Sequence, residues 1–255
     1  MRKTLGAVVL TTLLLASASP VAAITYGDPT GSAYGNVGSM VAEIQGKYYQ
    51  VCSGTLIKHG VFLTAAHCVV GTPDDWKLHI SFQPDLKSPA PLIEVKDVVA
   101  HPDYGKNMAN LYDVGALLFD PADSTGISLA AVAPVDYLTD MSKRDRREAT
   151  FTAVGYGTIR ESRKKGWQGI LDNTERRSGD QSFLSLQKAW LTLSMNEATG
   201  DAGTCYGDSG GPHFHGDYIV SLTVTGDAMC KATDKTYRLD RPWVYEFLRS
   251  EDLLP

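Results

Sequence analysis

The sequence predicts an all-β protein, a barrel or a sandwich, with one helix at its C-terminal end. Three observations carry this reading. Short segments rich in β-branched and aromatic residues recur along the chain, Gly, Pro, Asn and Asp punctuate them, and helical periods between them are few. In chain order the segments cover residues 37–45, 48–56, 61–65, 76–82, 93–100, 114–119, 149–156, 188–193 and 218–225. The helix is expected over 241–248, with Asp240 as its N-cap and Pro242 in its first turn. A chain of 255 residues fits one large β domain or two smaller units.

The first 23 residues differ from the rest: Arg2 and Lys3 precede an apolar stretch over 5–15, and small residues end at Val21-Ala22-Ala23. This is the pattern of a secretory signal peptide, and the stretch falls short of the roughly 20 apolar residues that span a bilayer. Its removal takes the formal charge from −5 to −7, since Arg2 and Lys3 leave with it. So acidic a chain is a poor partner for nucleic acid. Cys52, Cys68, Cys205 and Cys230 make an even count in an exported chain, so two disulfides are expected, with three connectivities open. No Cys-x-x-Cys half-site favours zinc.

Two basic clusters, 143–147 and 160–165, and the pair Arg176-Arg177 read as solvated loops. The polar stretch 158–182 has no pattern of its own, and connections of that length are usually mobile or functional.

Gly207-Asp208-Ser209-Gly210-Gly211-Pro212 surrounds a hydroxyl with residues that tolerate a sharp turn, the setting of an exposed nucleophile. Amides at Gly207 and Ser209 can point together at a developing oxyanion. A serine needs a base, and His67, in Thr64-Ala65-Ala66-His67-Cys68 at the end of an apolar strand, is the natural one. His59, His79 and His101 lie in polar or turn contexts. His213 and His215 alternate on one strand, where packed or solvent-facing rings are preferred over a metal pair. Asp113 leads into the apolar segment Val114-Gly115-Ala116-Leu117-Leu118 and fits the third role, orienting the imidazole; Asp103 and Asp120 are the alternatives, both beside prolines in turns.

Residues 64–68, 113–118 and 207–212, in that order, resemble the three active-site motifs of trypsin-like serine proteases, and the resemblance spans about 24–250. It implies two six-stranded antiparallel β-barrels with the active site in the cleft between them. It implies bridges Cys52–Cys68 and Cys205–Cys230, and a secreted, monomeric endopeptidase that acts on proteins or peptides without a cofactor or a bound metal. No ligand pattern for calcium is specific enough to name. A protease-like fold used only for binding, or a highly restricted processing protease, is the alternative. Binding-only relatives usually lack a triad member, and here none is missing.

The resemblance also implies a mature start at Ile24, directly after Ala23, whose freed amine pairs with Asp208 and orders the oxyanion hole. Cleavage after Ala18, leaving a short propeptide, is the alternative. The substrate pocket would be lined by Gly203, Thr204, Tyr206, Ser221, Leu222 and Thr223. Gly203 stands where trypsins carry an acid, so cleavage after basic residues is not implied. Thr223, where glycine is usual, would narrow the entrance and favour small or medium residues. Asp234 and Lys235 fall near the pocket floor; an aspartate there favours basic side chains and a lysine acidic ones.

Overall fold

The computed structural model describes residues 24–87, 91–160 and 169–255. The expected signal peptide and much of the basic cluster 160–165 lie outside the described residues. A two-residue strand, β1 (Asp28–Pro29), comes first. The strands β2 (Val37–Ile44), β3 (Lys47–Lys58), β4 (Val61–Thr64), β5 (Lys77–Ser81), β6 (Ile93–Glu94), β7 (Asp97–Ala100) and β8 (Gly115–Leu118) follow. They form an antiparallel sheet in the order β6-β5-β2-β3-β4-β8-β7. Its end strands β6 and β7 are consecutive in sequence: Val95 N–H donates to Leu78 O at 3.0 Å on one edge and Lys96 N–H to Leu118 O at 2.7 Å on the other. The sheet therefore curls back on itself around Met40, Leu56, Phe62, Ile80 and Leu117. Gly54 is required here, because a Cβ would collide with the Phe62 ring and the Leu63 carbonyl.

The second half runs β9 (Ala131–Val132), α1 (Tyr137–Asp140), α2 (Lys143–Glu148), β10 (Thr150–Gly155), β11 (Ile159–Arg160), β12 (Ile170–Leu171), β13 (Arg177–Leu186), β14 (Trp190–Ser194), β15 (Pro212–His215), β16 (Tyr218–Gly226), β17 (Thr233–Arg238) and α3 (Pro242–Ser250). Strands β13-β10-β15-β16-β17-β14 neighbour one another in that order and β14 returns to β13, closing a barrel. The expected all-β pair of antiparallel barrels is present, the first built from seven strands rather than six because β6 and β7 divide one edge segment, and with β9 the exception in running parallel to β16. A shared apolar cluster, including Val37, Leu63, Val154, Leu222 and Phe247, seals the two halves together. Helix α3 carries Val244, Phe247 and Leu248 into that seal, with Phe247 stacked 5.0 Å from His101 of the first half.

Each expected strand falls on an observed one, and the strand carrying His213 and His215 is β15, while β13, β17 and the two-residue strands β1, β9, β11 and β12 were not anticipated. The C-terminal helix is real, but Asp240 does not cap it: the residue before Pro242 is Arg241, which makes no side-chain cap. The Asp240 carboxylate is buried instead, accepting from Arg238 Nε and Nη2, each at 2.8 Å, and from Leu138 N–H. The basic residues also divide. The 143–147 cluster lies on the mostly exposed helix α2, whereas Arg160, Arg176 and Arg177 are buried, contrary to the solvated reading. Arg176 explains the difference: its guanidinium donates to the carbonyls of Gly31, Ala33, Val37 and Phe82, each at 3.0 Å. Those acceptors lie far away in sequence, so no local pattern reveals them.

Candidate active site

Strands β4 and β8 pair with Thr64 opposite Gly115. His67 follows Thr64 by three positions and Asp113 precedes Gly115 by two, so the register brings both to one end of the sheet. Ala65 and Ala66, both fully buried, let the chain turn tightly into the 3-10 turn Ala66–Cys68 that carries His67. The carboxylate of Asp113, 1% exposed, accepts from His67 twice: from the ring Nδ1 at 2.8 Å and from the backbone N–H at 2.9 Å. With Nδ1–H directed at the carboxylate, Nε2 is left as the acceptor for a proton. The alternatives are engaged elsewhere: Asp103 pairs with Lys106, and Asp120 caps Ala122 and pairs with Lys96.

The serine arrives from the other half on a loop that packs against the strand leading to His67. Gly210 has φ +75°, and a Cβ there would collide with Thr64 Oγ1 and crowd the backbone nitrogen of Ala65. Ser53 N–H donates to Ser209 O at 2.8 Å, which ties the loop to β3 beside the Cys52–Cys68 disulfide. Gly207 takes φ +96°. Its carbonyl accepts from Gln50 Nε2 at 2.8 Å and Ser53 Oγ at 3.0 Å, while the N–H groups of Gly207 and Ser209 have no protein acceptor among the described residues. Gln50 and Ser53 were missed by sequence reasoning, because nothing local marks a strand residue as a partner of a loop 157 or 154 positions away.

Asp208 is fully buried and held by the amides of Gly157 and Cys205, both at 2.8 Å. Burial pushes its carboxyl up to about 7 despite those two donors. Ile24 is also fully buried, packed on Ala153 and Ala202. The next residue, Thr25, exchanges both backbone hydrogen bonds with Gly203, at 2.7 and 2.8 Å. The two expected partners thus both bear on the short segment from Gly203 to Cys205.

The pocket residues separate into two groups. Gly203, Thr204 and Tyr206 flank the Cys205–Cys230 disulfide. A Cβ on Gly203 would press on Cys230 O at 2.8 Å, which is why no side chain stands there. Ser221, Leu222 and Thr223 lie inside the fold rather than on a pocket wall. Ser221 Oγ accepts from Thr236 Oγ1 at 2.8 Å, Leu222 belongs to the seal between barrels, and Thr223 exchanges backbone bonds with Gly210 and Gly211. Strand β16 emerges three residues later, at Val224, Thr225 and Gly226. Of the two floor candidates, Lys235 points away, its Nζ 4.3 Å over the Trp190 ring. Asp234, opposite Gly226, is buried, and its Oδ2 accepts from Thr204 Oγ1 at 2.6 Å, His213 Nε2 at 3.0 Å and Gln181 Nε2 at 3.2 Å. Asp234 Oδ1 has no hydrogen-bond partner among the described residues. Of the paired histidines, His213 packs there and His215 bonds Tyr137.

Among the described residues, the group of His, Cys and acidic side chains close enough to share a cation is His67 with Cys52 and Cys68. Those cysteines are joined to each other, so they offer no thiolate.

A family model described as Trypsin matches residues 30–240. A trypsin-like protease of Streptomyces glaucescens is 27% identical over 181 residues, covering 65% of this chain and 59% of the relative. A trypsin of Saccharopolyspora erythraea is 27% identical over 188 residues, covering 71% and 78%. The matches to the Streptomyces protein and to a CLIP domain-containing serine protease of Anopheles gambiae span under three fifths of those relatives' lengths. Among solved structures, one titled as HL collagenase has the same fold, with a TM-score of 0.67 at 15% identity over 91% of this chain and 99% of that one. The chain belongs to the trypsin family of serine proteases.

Proposed function

We propose that this protein is an exported endopeptidase in which Ser209 attacks the peptide carbonyl and His67 takes its proton. The observation that carries this is the pair of hydrogen bonds that His67 donates to the buried Asp113 carboxylate, on a turn against which the Ser209 loop packs. His67 Nε2 accepts the proton of Ser209 Oγ as the Oγ–C bond forms. The carbonyl oxygen becomes an oxyanion held by the amides of Gly207 and Ser209, a contribution of about 3–4 kcal/mol for each donor in sites of this logic. The imidazolium, stabilised by Asp113, then gives its proton to the leaving nitrogen as the C–N bond breaks. Water cleaves the remaining ester by the same steps, with His67 as base again.

Substrates are proteins or peptides, and the residue donating the attacked carbonyl is Lys or Arg. Gly203 supplies no charge, but the buried Asp234 carboxylate beside Thr204 retains an unpaired oxygen, and a buried anion of that kind favours a cationic side chain. Residues 1–23 direct export, and the disulfides fit an oxidising destination. Release of Ile24 frees an amine that pairs with Asp208 and orders the Gly207 loop. Cleavage of a diverse peptide library by the secreted protein tests the reading. Cuts after Lys and Arg that vanish in Ser209→Ala are expected; no cleavage by the wild type contradicts it. Amino-terminal sequencing of the active form should begin at Ile24.

A further inference from the structure

The residue before Asp113 stands in a conformation that only glycine adopts freely. Tyr112 has φ +54°, in the left-handed region, where a bulky side chain is strained. Val114 N–H donates to Tyr112 O at 2.9 Å, so the chain folds tightly around Asp113 at the point from which its carboxylate meets His67. Such a conformation persists only where its surroundings over-determine it. Much of what surrounds Tyr112 comes from the other half of the molecule.

Three aromatic side chains of the second half reach the segment that precedes Asp113. Trp190 on β14 donates from Nε1 to Ala109 O at 3.2 Å. Tyr237 on β17, fully buried, donates from its hydroxyl to Asn110 Oδ1 at 2.8 Å. Trp243 on α3 donates from Nε1 to that same hydroxyl at 2.9 Å. An indole can only donate, so the phenolic proton is left for Asn110. Burial, and to a smaller degree the nearby charge of Asp113, raises the Tyr237 phenol above its ordinary range and keeps that proton in place. Asn110 Oδ1 also accepts from Tyr112 N–H at 3.3 Å, a turn that carries the restraint on to residue 112. The Tyr112 ring itself lies between His101 and the edge of Trp243, with ring centroids 4.6 and 6.4 Å away.

We infer that Trp190, Tyr237 and Trp243 form a clamp by which the second barrel positions Asp113 of the first, with the Tyr237 hydroxyl as its central link. The inference rests on the triad reading above and makes Tyr237 a positioning residue of the reaction. A slackened clamp lets Tyr112 relax out of the left-handed region, which moves the Asp113 carboxylate off His67 Nδ1, the contact that stabilises the imidazolium. Because Tyr237 is buried and away from substrate, the loss falls on kcat and not on KM.

Steady-state kinetics of Tyr237→Phe on a cleavable peptide, at equal concentrations of folded protein, test it. Phe keeps the ring and its packing and removes only the hydroxyl. The variant should lose about tenfold in kcat while KM stays within about twofold of wild type. In an Asp113→Asn background the same substitution should change kcat by less than about twofold, because the group it positions is gone; an effect through packing alone would persist there. An unchanged kcat, a loss seen in KM alone, or an equal loss in the Asp113→Asn background overturns the clamp. If Tyr237→Phe does not fold, Asn110→Ala removes the acceptor of the same bond and is read by the same criteria; failure of both to fold makes the bond a stability element and overturns its positioning role. A wild type inert toward peptides overturns the triad reading and the clamp with it, whereas an active wild type matched in kcat by Tyr237→Phe refutes the clamp alone.

Discussion

In the N-terminal barrel the buried polar side chains are mostly hydroxyls, among them Ser39, Ser53, Thr55, Thr64 and Ser81, with Asp113 at the rim. The C-terminal barrel instead encloses Arg177, Asp208, His213, Asp234, Arg238 and Asp240, and its Arg176 reaches across to carbonyls of the first half. A hydroxyl can be met by a single partner on the adjacent strand, as Thr64 Oγ1 is by Ser53 O at 2.8 Å, though Ser53 Oγ itself reaches across to Gly207 O at 3.0 Å. A buried charge must be met by several groups from distant segments, because leaving it unmet costs several kcal/mol. The first barrel is therefore an apolar scaffold that fixes His67 against Asp113. The second is a network of charges that holds the Ser209 loop, Asp234 and the amino-terminal segment in mutual register.

The largest effect should come from the one charge in the first barrel that is not structural. Asp113→Asn removes the group that sets the His67 tautomer, and kcat should fall about 10⁴-fold, with urea stability changed by no more than about 1 kcal/mol. A loss of folding in place of activity would erase the distinction between the barrels. Next, Arg176→Ala leaves carbonyls from residues 31, 33, 37 and 82 without their donor and should destabilise by about 3–5 kcal/mol. Ser39→Ala, its counterpart in the first barrel, should cost under about 1 kcal/mol by the same urea titration.

A pH titration sharpens the contrast further. While Ile24 is still peptide-bonded, folded Asp208 keeps its proton up to about 7, whereas the unfolded carboxyl loses it near 3.8. The native state then binds the extra proton between those values, so stability from this group is full at acid pH, falls as pH rises from about 4 to 7, and is level above. Urea midpoints at several pH values in a Ser209→Ala background should show that fall for the longer chain. A chain beginning at Ile24, its amine paired with Asp208, should not show it. The smallest effects separate two neighbours on β17. Asp234→Asn should lower the Lys and Arg preference at least tenfold, measured as ratios of kcat/KM. Lys235→Ala should leave that ratio alone and cost about 0.5–1 kcal/mol of stability through its lost contact with Trp190.

The same contrast explains what was legible in the sequence. The first barrel announces itself because continuous or alternating apolar residues mark every strand, and His67 and Asp113 stand at strand ends where a polar residue is conspicuous. The Ser209 turn is equally plain from its glycines. Strands β13 and β17 were unreadable because their sequences, such as Thr233–Arg238, are polar locally and become buried only through distant partners. The wall residues 221–223 were misplaced for a related reason: register along β16 is set by its bonds to Gly210 and Gly211, not by its own composition. The choice between Asp234 and Lys235 likewise needed the strand's facing, since adjacent residues point to opposite sides of a sheet.

The central claim is that base and nucleophile, supplied by different barrels, act as one unit at Ser209. Treating the mature protein with a fluorophosphonate and mapping the adduct by peptide mass spectrometry tests it most directly. The account predicts one stoichiometric adduct on Ser209, formed at least 10³-fold more slowly in Asp113→Asn. A wild-type protein that stays unlabelled, or carries its adduct on another residue, would contradict it.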